Sequence, residues 1–134
     1  MSIKSVVVIG KKKSAKARAS VQKGTGKVTI NSIPIEKWGS YYERMLLLEP
    51  MSVIEKALKT LDVDINVLGG GKVGQAAASR VAFARGVVEY TNDKLLKKAL
   101  IDYDNKILSG DSRQREPCKP NDSSPRSRRQ KSYR

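Results

Sequence analysis

A Gly-rich segment in the second half of the chain is the first pattern that could carry chemistry. Gly69, Gly71 and Gly74 have the G-x-G-x-x-G spacing of dinucleotide-binding turns, and Glu89 follows at the distance of a ribose-binding acid. The context argues against a nucleotide, because Glu89 precedes a polar stretch and a further helical pattern instead of ending a second parallel strand. A Walker loop is excluded too, since no Gly-Lys-Ser/Thr segment occurs. We therefore expect no cofactor.

The same turn has two other interpretations, which the local sequence leaves equal. A Gly-rich turn that opens a helix exposes backbone N–H groups, and Lys72 adds a positive charge, so a phosphate of an RNA backbone would suit this place. Alternatively, the glycines only allow a tight connection between a strand and a helix.

Side chains for catalysis or metal binding are sparse. The chain has no histidine and a single cysteine, Cys118, so it can form neither an internal disulfide nor a Cys/His zinc site. Asp62 and Asp64 alternate with Val63 and Ile65, which places both carboxylates on the polar face of a strand, towards solvent or RNA. Because no acid–base pair in a cleft can be identified, we expect no enzymatic activity, no catalytic residue and no metal site.

Positive charge is concentrated at both ends of the chain. The 134 residues include 27 basic and 13 acidic side chains, a formal net charge of +14. Residues 1–27 carry eight basic side chains and no acidic one, residues 28–105 carry ten of each, and residues 106–134 carry nine basic and three acidic ones. A neutral middle between two basic ends favours a polyanionic ligand, foremost a nucleic acid.

The last sixteen residues, 119–134, contain six basic side chains, one acid, two prolines and four serines, but no aliphatic side chain. This composition cannot form a core and predicts an extended arm. We accordingly divide the chain into a globular domain, 1–104, and an extended basic C-terminal arm, 105–134.

No apolar run is long enough to span a bilayer and no signal peptide precedes the domain, so a cytoplasmic protein without a membrane partner is expected.

The elements that position these residues follow from the apolar periodicity. Alternating or β-branched segments at 3–9, 17–21, 28–31 and 62–67 predict four strands, and the Gly-rich link at 23–27 predicts that the second and third pair as a β-hairpin.

Helical spacing predicts one helix after residue 35 that is interrupted or restarted at Pro50, an Ala-rich helix over 74–87 and a short helix over 95–103. The order β-β-β-α-β-α-α predicts an α+β fold with helices on one face of a four-stranded sheet.

Taken together, these motifs resemble the universal small-subunit ribosomal protein S-nine family in its archaeal and eukaryotic form, the eukaryotic S-sixteen. The resemblance runs from end to end, through GKKKSAKARA at 10–19, GTGKVTIN at 24–31, GGGKVGQA at 69–76, AFARG at 82–86, GDSR with Glu116 at 110–116, and QKSYR at 130–134. One stretch departs from the family, since residues 117–125 replace a basic Gly-rich segment and leave the root of the arm stiffer and less cationic.

The resemblance implies the fold of the second domain of ribosomal protein S-five, with a left-handed βαβ crossover. It implies a structural, non-enzymatic role in translation, with rRNA in the head of the small subunit and neighbouring small-subunit proteins as partners. It also implies that the arm reaches the peptidyl-site (P-site) tRNA. Carried onto this chain, the tRNA contacts fall on Lys131, Ser132, Tyr133 and Arg134.

The cationic side chains expected to bind rRNA lie in the N-terminal loop, the helices and the arm. They are Lys11, Lys12, Lys13, Lys16, Arg18, Lys72, Arg80, Arg85, Arg113, Arg115, Arg126, Arg128 and Arg129. Charge alone would also suit a nucleic-acid chaperone or histone-like packing protein, which should bind duplex DNA in bulk. An enzyme built on the glycine turn is the third alternative.

Overall fold

The computed structural model describes residues 5–127 and Gln130. Five strands and three helices follow one another along the chain. They are β1 (Ser5–Lys12), β2 (Ala15–Lys23), β3 (Val28–Ile30), β4 (Ile33–Pro34), a 3₁₀ turn (Ile35–Lys37), α1 (Tyr41–Leu58), β5 (Leu61–Leu68), α2 (Lys72–Thr91) and α3 (Lys94–Tyr103). This confirms the predicted α+β class. Within the described residues, no helix is both long and apolar enough to cross a bilayer.

The strands form one mixed sheet in the order β1-β2-β5-β3-β4. β1 with β2, β2 with β5, and β3 with β4 are antiparallel pairs, whereas β3 and β5 are parallel. The predicted hairpin of the second and third strands is therefore wrong, because β5 lies between them. The N–H of Gly24 donates to Thr60 O at 2.9 Å, and those of Thr25 and Lys27 donate to the Asp62 carboxylate at 2.7 and 2.9 Å, so the link is fastened to the start of β5.

The prediction of four strands is also wrong, because the short β4 adds a fifth. Asn31 and Ser32 both have positive φ, 50° and 66°, as the two central residues of a type I′ turn do. That turn reverses the chain and lets Ile33 pair with Ile30. The left-handed sense of the crossover from β3 through α1 to β5 stays a prediction of the family resemblance.

One face of the sheet is buried and the other is open. In β2 the alanines and Val21 are buried while Lys16 and Arg18 are exposed, and β5 buries Val63 and Ile65 in the same alternation. Small side chains in β2 let α2 lie close to the sheet. Gly10 and Gly86 mark the closest approach, since a Cβ on Gly86 would lie 2.7 Å from Val21 Cγ2.

Helix α1 is continuous, so the predicted interruption at Pro50 is wrong. Pro50 lacks an N–H, which removes one backbone hydrogen bond, but its ring is buried and contributes to the packed side of the helix. The helix begins at Tyr41, after the N-cap residue Ser40, whose N–H donates to the Glu43 carboxylate at 2.7 Å. It buries Leu47 and Ile54.

The chain remains in contact with the domain beyond the end of α3. Ile107 is only 1% exposed and belongs to the core. Arg85 on α2 donates through Nε to Leu108 O at 2.8 Å and through Nη1 to Ile9 O at 2.9 Å, and so ties this segment to β1. Residues 111–119 then continue without helix or strand.

Candidate nucleic-acid interface

The turn between β1 and β2 is the centre of the cationic surface. Lys13 has a φ of 53°, in the left-handed region that a lysine rarely adopts, and Ser14 completes the turn. Ser14 lines three separate depressions, which lie towards the arm, towards α2 and over the open sheet. Predicted RNA-binding residues that are far apart in sequence therefore meet around this turn.

The first depression, here the arm cleft, has a volume of about 770 Å³ and lies between the turn and the start of the arm. Five of the predicted RNA-binding side chains line it together with Ser14 and Gln114. These five are Lys11, Lys13, Lys16, Arg113 and Arg115. Such a concentration of cations, open to solvent, suits a chain of phosphates better than an apolar ligand.

Asp111 joins the two sides of the arm cleft. Its carboxylate accepts the Lys13 N–H at 3.0 Å across 98 residues of sequence, the Arg113 N–H at 3.0 Å, and Arg113 Nε and Nη2 at 2.9 and 2.8 Å. The side chain of Asp111 is only 9% exposed, whereas that of Arg113 is 62% exposed. The fork from Arg113, followed by the backbone N–H groups of Arg113 and Lys13, holds the pKa of Asp111 far below its usual range.

The sequence did not single out Asp111 as a site residue. It appeared only within the GDSR motif at 110–113, and its neighbours suggested a cationic segment. The spacing Asp-x-Arg was the available signal, since an Asp that bonds the backbone N–H two residues on forms a local turn. What the spacing could not show was the Lys13 amide on the other side.

The second depression, about 310 Å³, brings Lys12 and Lys13 to the Gly-rich turn and the first residues of α2. Gly69 and Gly70 have φ of 79° and 68°, so both are required by the turn itself. The tight-turn interpretation of these glycines is thereby supported. The phosphate interpretation stays a prediction.

The remaining parts of the glycine motif do not form a dinucleotide site. Gly71 precedes α2 without positive φ, and a Cβ on Gly74 would meet only Ala15 Cβ at 3.7 Å, an ordinary contact. Glu89 lies on an exposed position within α2 and does not end a strand. Lys72 is exposed at the first position of α2, one residue from Val73, which lines the second depression.

The third depression, about 830 Å³, covers part of the open face of the sheet. Lys16 and Arg18 point into it from β2, next to Asn66 of β5, which pairs with Arg18 in the sheet. Lys16 also lines the arm cleft, so the cationic surface is continuous from the arm onto the sheet.

Two predicted RNA-binding arginines on α2 are engaged by protein groups and lie apart from this surface. Arg80 is 19% exposed and forms ion pairs with Glu49 at 3.0 Å and Asp104 at 3.2 Å, between the helices. Arg85 is half-buried and donates to the backbone of Leu108 and Ile9. Both guanidinium groups are engaged inside the protein.

In the arm, Arg126 forms a fork with Glu116. Nε lies 3.0 Å from Oε2 and Nη2 lies 2.7 Å from Oε1, which closes the loop formed by the divergent stretch 117–125. The Arg126 fork lowers the pKa of Glu116 below its usual value. Cys118, inside this loop, is an exposed free thiol.

Replacing Glu116 with Gln is expected to strengthen RNA binding about twofold to threefold at low salt, because the Glu116 carboxylate is 53% exposed and repels phosphate, and because Arg126 is released. Titration of a folded RNA with the wild-type and variant proteins would measure the change. Glu55→Gln is the matched control, since Glu55 on α1 also forms an exposed ion pair, with Lys59 just beyond the end of the helix, and lines none of the three depressions. Equal gains in both variants would mean that only net charge matters.

The acidic residues of β5 have structural partners. Asp62 caps the link before β3, and the N–H of Lys27, followed by that of Thr25, lowers its pKa. Asp64 accepts the Thr29 hydroxyl at 2.7 Å. Among the described residues, no group of three or more His, Cys, Asp or Glu side chains could hold a metal ion.

Six of the predicted contacts lie outside the described residues. They are Arg128 and Arg129, predicted for rRNA, and Lys131, Ser132, Tyr133 and Arg134, predicted for tRNA.

Fold and surface define the class as a small basic α+β protein with a continuous cationic surface around one hairpin turn. The profile of the family described as ribosomal protein S9/S16 matches residues 10–134. The small ribosomal subunit protein uS9 of Methanococcus maripaludis is 44% identical over 134 residues, covering 98% of this chain and 100% of its own length. That of Desulfurococcus amylolyticus is 46% identical over 132 residues, covering 98% and 94%.

The chain belongs to the ribosomal protein S9/S16 family, in its archaeal form, as the motifs indicated. It is a structural ribosomal protein and not an enzyme.

Proposed function

We propose that this protein is a structural constituent of the small ribosomal subunit. It binds rRNA of the head through the cationic surface around the β1–β2 turn, and it supports tRNA in the P site through its arm. The observation that carries the proposal is the meeting of Lys11, Lys13 and Lys16 with Arg113 and Arg115 in one cleft. Family membership and relatives named as small-subunit proteins support the same role.

Binding to rRNA follows from the charge of this surface. Lysines give point charges and arginines give forked donors, both of which neutralise phosphates and release counterions. Phosphates carry no base identity, so these contacts position the protein on folded RNA and leave specificity to RNA shape. This protein would also contact neighbouring small-subunit proteins, and it would be located in the cytoplasm as part of the ribosome.

The competing function is bulk nucleic-acid packing. A packing protein binds duplex DNA as well as RNA, with many copies per molecule, because phosphate charge alone drives it. The ribosomal role requires one copy per small subunit. Quantification of this protein in salt-washed small subunits therefore separates the two functions.

The arm is proposed to act as a reaching segment. Sixteen residues can span up to about 50 Å when extended, enough to carry Arg134 away from the domain. Lys131 and Arg134 would contact phosphates of the tRNA, and Tyr133 could stack on a base or donate its hydroxyl.

Deleting residues 131–134 is expected to leave small subunits assembled and to weaken P-site tRNA binding roughly tenfold at physiological salt, because two cationic contacts are lost. Filter binding of tRNA to purified subunits measures the effect, and sedimentation confirms assembly. Ser132→Ala is the matched control, since it keeps both charges. An unchanged tRNA affinity in the deletion would refute the role of the arm.

A further inference from the structure

We propose that the arm cleft is one composite site for consecutive phosphates of an RNA backbone, and that Asp111 is the residue that positions its two halves. The inference rests on the proposed function and adds where the backbone is held and which group makes the site. Its two halves are the turn after β1 and the segment after residue 110, which are about a hundred residues apart in sequence. Among the described residues, the hydrogen bond that joins them is the one from the Lys13 N–H to Asp111.

On net charge alone, an acidic side chain in the middle of five cations would work against anion binding. The geometry of Asp111 gives the opposite result. Its side chain is only 9% exposed, so it presents little negative surface to a ligand. Each of its bonds instead fixes a group that faces the cleft.

On the hairpin side, the bond from the Lys13 N–H stabilises a turn that Lys13 enters with φ of 53°. A left-handed lysine is unfavourable in an isolated chain and persists where other contacts compensate. Holding Lys13 there sets the direction of Lys13 and Ser14, which line the cleft beside Lys11 and Lys16. The pairing of β1 with β2 holds those two lysines opposite each other.

On the arm side, Asp111 takes the Nε and Nη2 edge of Arg113. The guanidinium still carries N–H donors on Nη1, and the side chain is 62% exposed towards solvent. A planar guanidinium fixed on one edge presents its other edge in a set direction, which lowers the entropy cost of gripping a phosphate. Arg115, two residues on, lines the same cleft.

The experiment is a titration of Methanococcus maripaludis small-subunit rRNA with the full-length protein and its variants at moderate salt. Asp111→Asn is expected to weaken binding about tenfold although it makes the protein more positive. The Lys13 and Arg113 N–H groups bond different oxygens of Asp111, so the one carbonyl oxygen of the substituted amide can keep the bond from the Lys13 N–H while the guanidinium is released. Asp102→Asn, an exposed position of α3, is the charge-matched control and should bind as tightly as the wild type or slightly tighter.

A double-mutant cycle tests whether Asp111 acts on RNA binding by positioning Arg113. In an Arg113→Gln background, Asp111→Asn should cause at most about a twofold further loss, because the guanidinium that Asp111 positions is gone and the Asn carbonyl oxygen can still accept the Lys13 N–H. Arg113→Gln alone keeps Asp111 on the Lys13 amide, so it tests the anion site in a protein whose turn is intact. Hydrogen exchange of the Lys13 amide, measured in the same variants, distinguishes a loosened turn from an unfolded domain.

Unchanged or tighter binding by Asp111→Asn, or equal losses from this substitution with and without Arg113, would overturn the inference. Saturable wild-type binding in that case leaves the proposed function standing. Absence of saturable wild-type binding would overturn the proposed function together with the inference.

Discussion

Replacing Gly10 with alanine is expected to destabilise the domain by about 3 kcal/mol or more. A Cβ at this position would lie 2.5 Å from Ala82 N and 3.0 Å from Ala82 Cα, and still closer to Ala78 O. All three atoms belong to the backbone of α2, which cannot rotate away as a side chain can. Relief therefore requires moving the helix away from β1 and β2.

Thermal unfolding followed by circular dichroism measures this loss, and a fall in the midpoint of roughly 10 °C is expected. Gly74→Ala is the matched control in the same fold. Its Cβ would meet Ala15 Cβ at an ordinary 3.7 Å, and alanine in a helix is favoured over glycine by about 0.5–1 kcal/mol, so this variant should be as stable as the wild type or more so. A Gly10→Ala protein with the wild-type midpoint would contradict the close packing of α2 on the sheet.

The sequence predicts those parts of the fold that depend on local periodicity. Alternation in β2 and β5 and the Ala-rich face of α2 were visible because each is a local periodicity. Strand pairing was not, since it depends on which strand reaches which neighbour. The Gly24–Lys27 link favoured a local hairpin, but its backbone N–H groups are taken by Thr60 O and Asp62, so β5 enters between β2 and β3.

The sequence also mispredicted the helix at Pro50 and the number of strands. Pro50 disfavours a helix, yet a missing N–H costs one bond while the surrounding packed residues of α1 remain buried. The two-residue β4 is too short for any periodicity to predict, and it exists because Asn31 and Ser32 adopt a type I′ turn.

For the site, sequence identified the cations but not their surroundings. Lys13 and Arg113 were predicted as RNA contacts in separate segments, and only the fold brings them to one carboxylate. Arg80 and Arg85 were predicted on the same ground of charge. Their placement between helices and against the backbone could not be inferred, because a residue type specifies charge but not burial.

Replacing Arg80 with methionine is expected to destabilise the domain by about 2 kcal/mol at neutral pH. Its Nη2 lies 3.0 Å from Glu49 on α1 and 3.2 Å from Asp104 at the end of α3, so one guanidinium joins three helices. Methionine keeps much of the volume but leaves two partly buried carboxylates facing each other without a cation. Glu49→Gln in the Arg80→Met background should therefore restore part of the lost stability, whereas in the wild type it should reduce stability.

The same variant distinguishes a structural from an RNA-binding role for Arg80. Measured at a temperature where Arg80→Met is fully folded, its rRNA affinity should lie within about twofold of the wild type, because the lost charge was already neutralised by two carboxylates. Arg115→Met, which removes an exposed cation of the arm cleft, is the matched comparison. It should weaken binding and reduce the slope of log affinity against log salt concentration by the amount of about one phosphate contact. Equal losses of affinity in both variants would return Arg80 to the RNA-binding surface, and the ion pairs with Glu49 and Asp104 would then have to open when RNA binds.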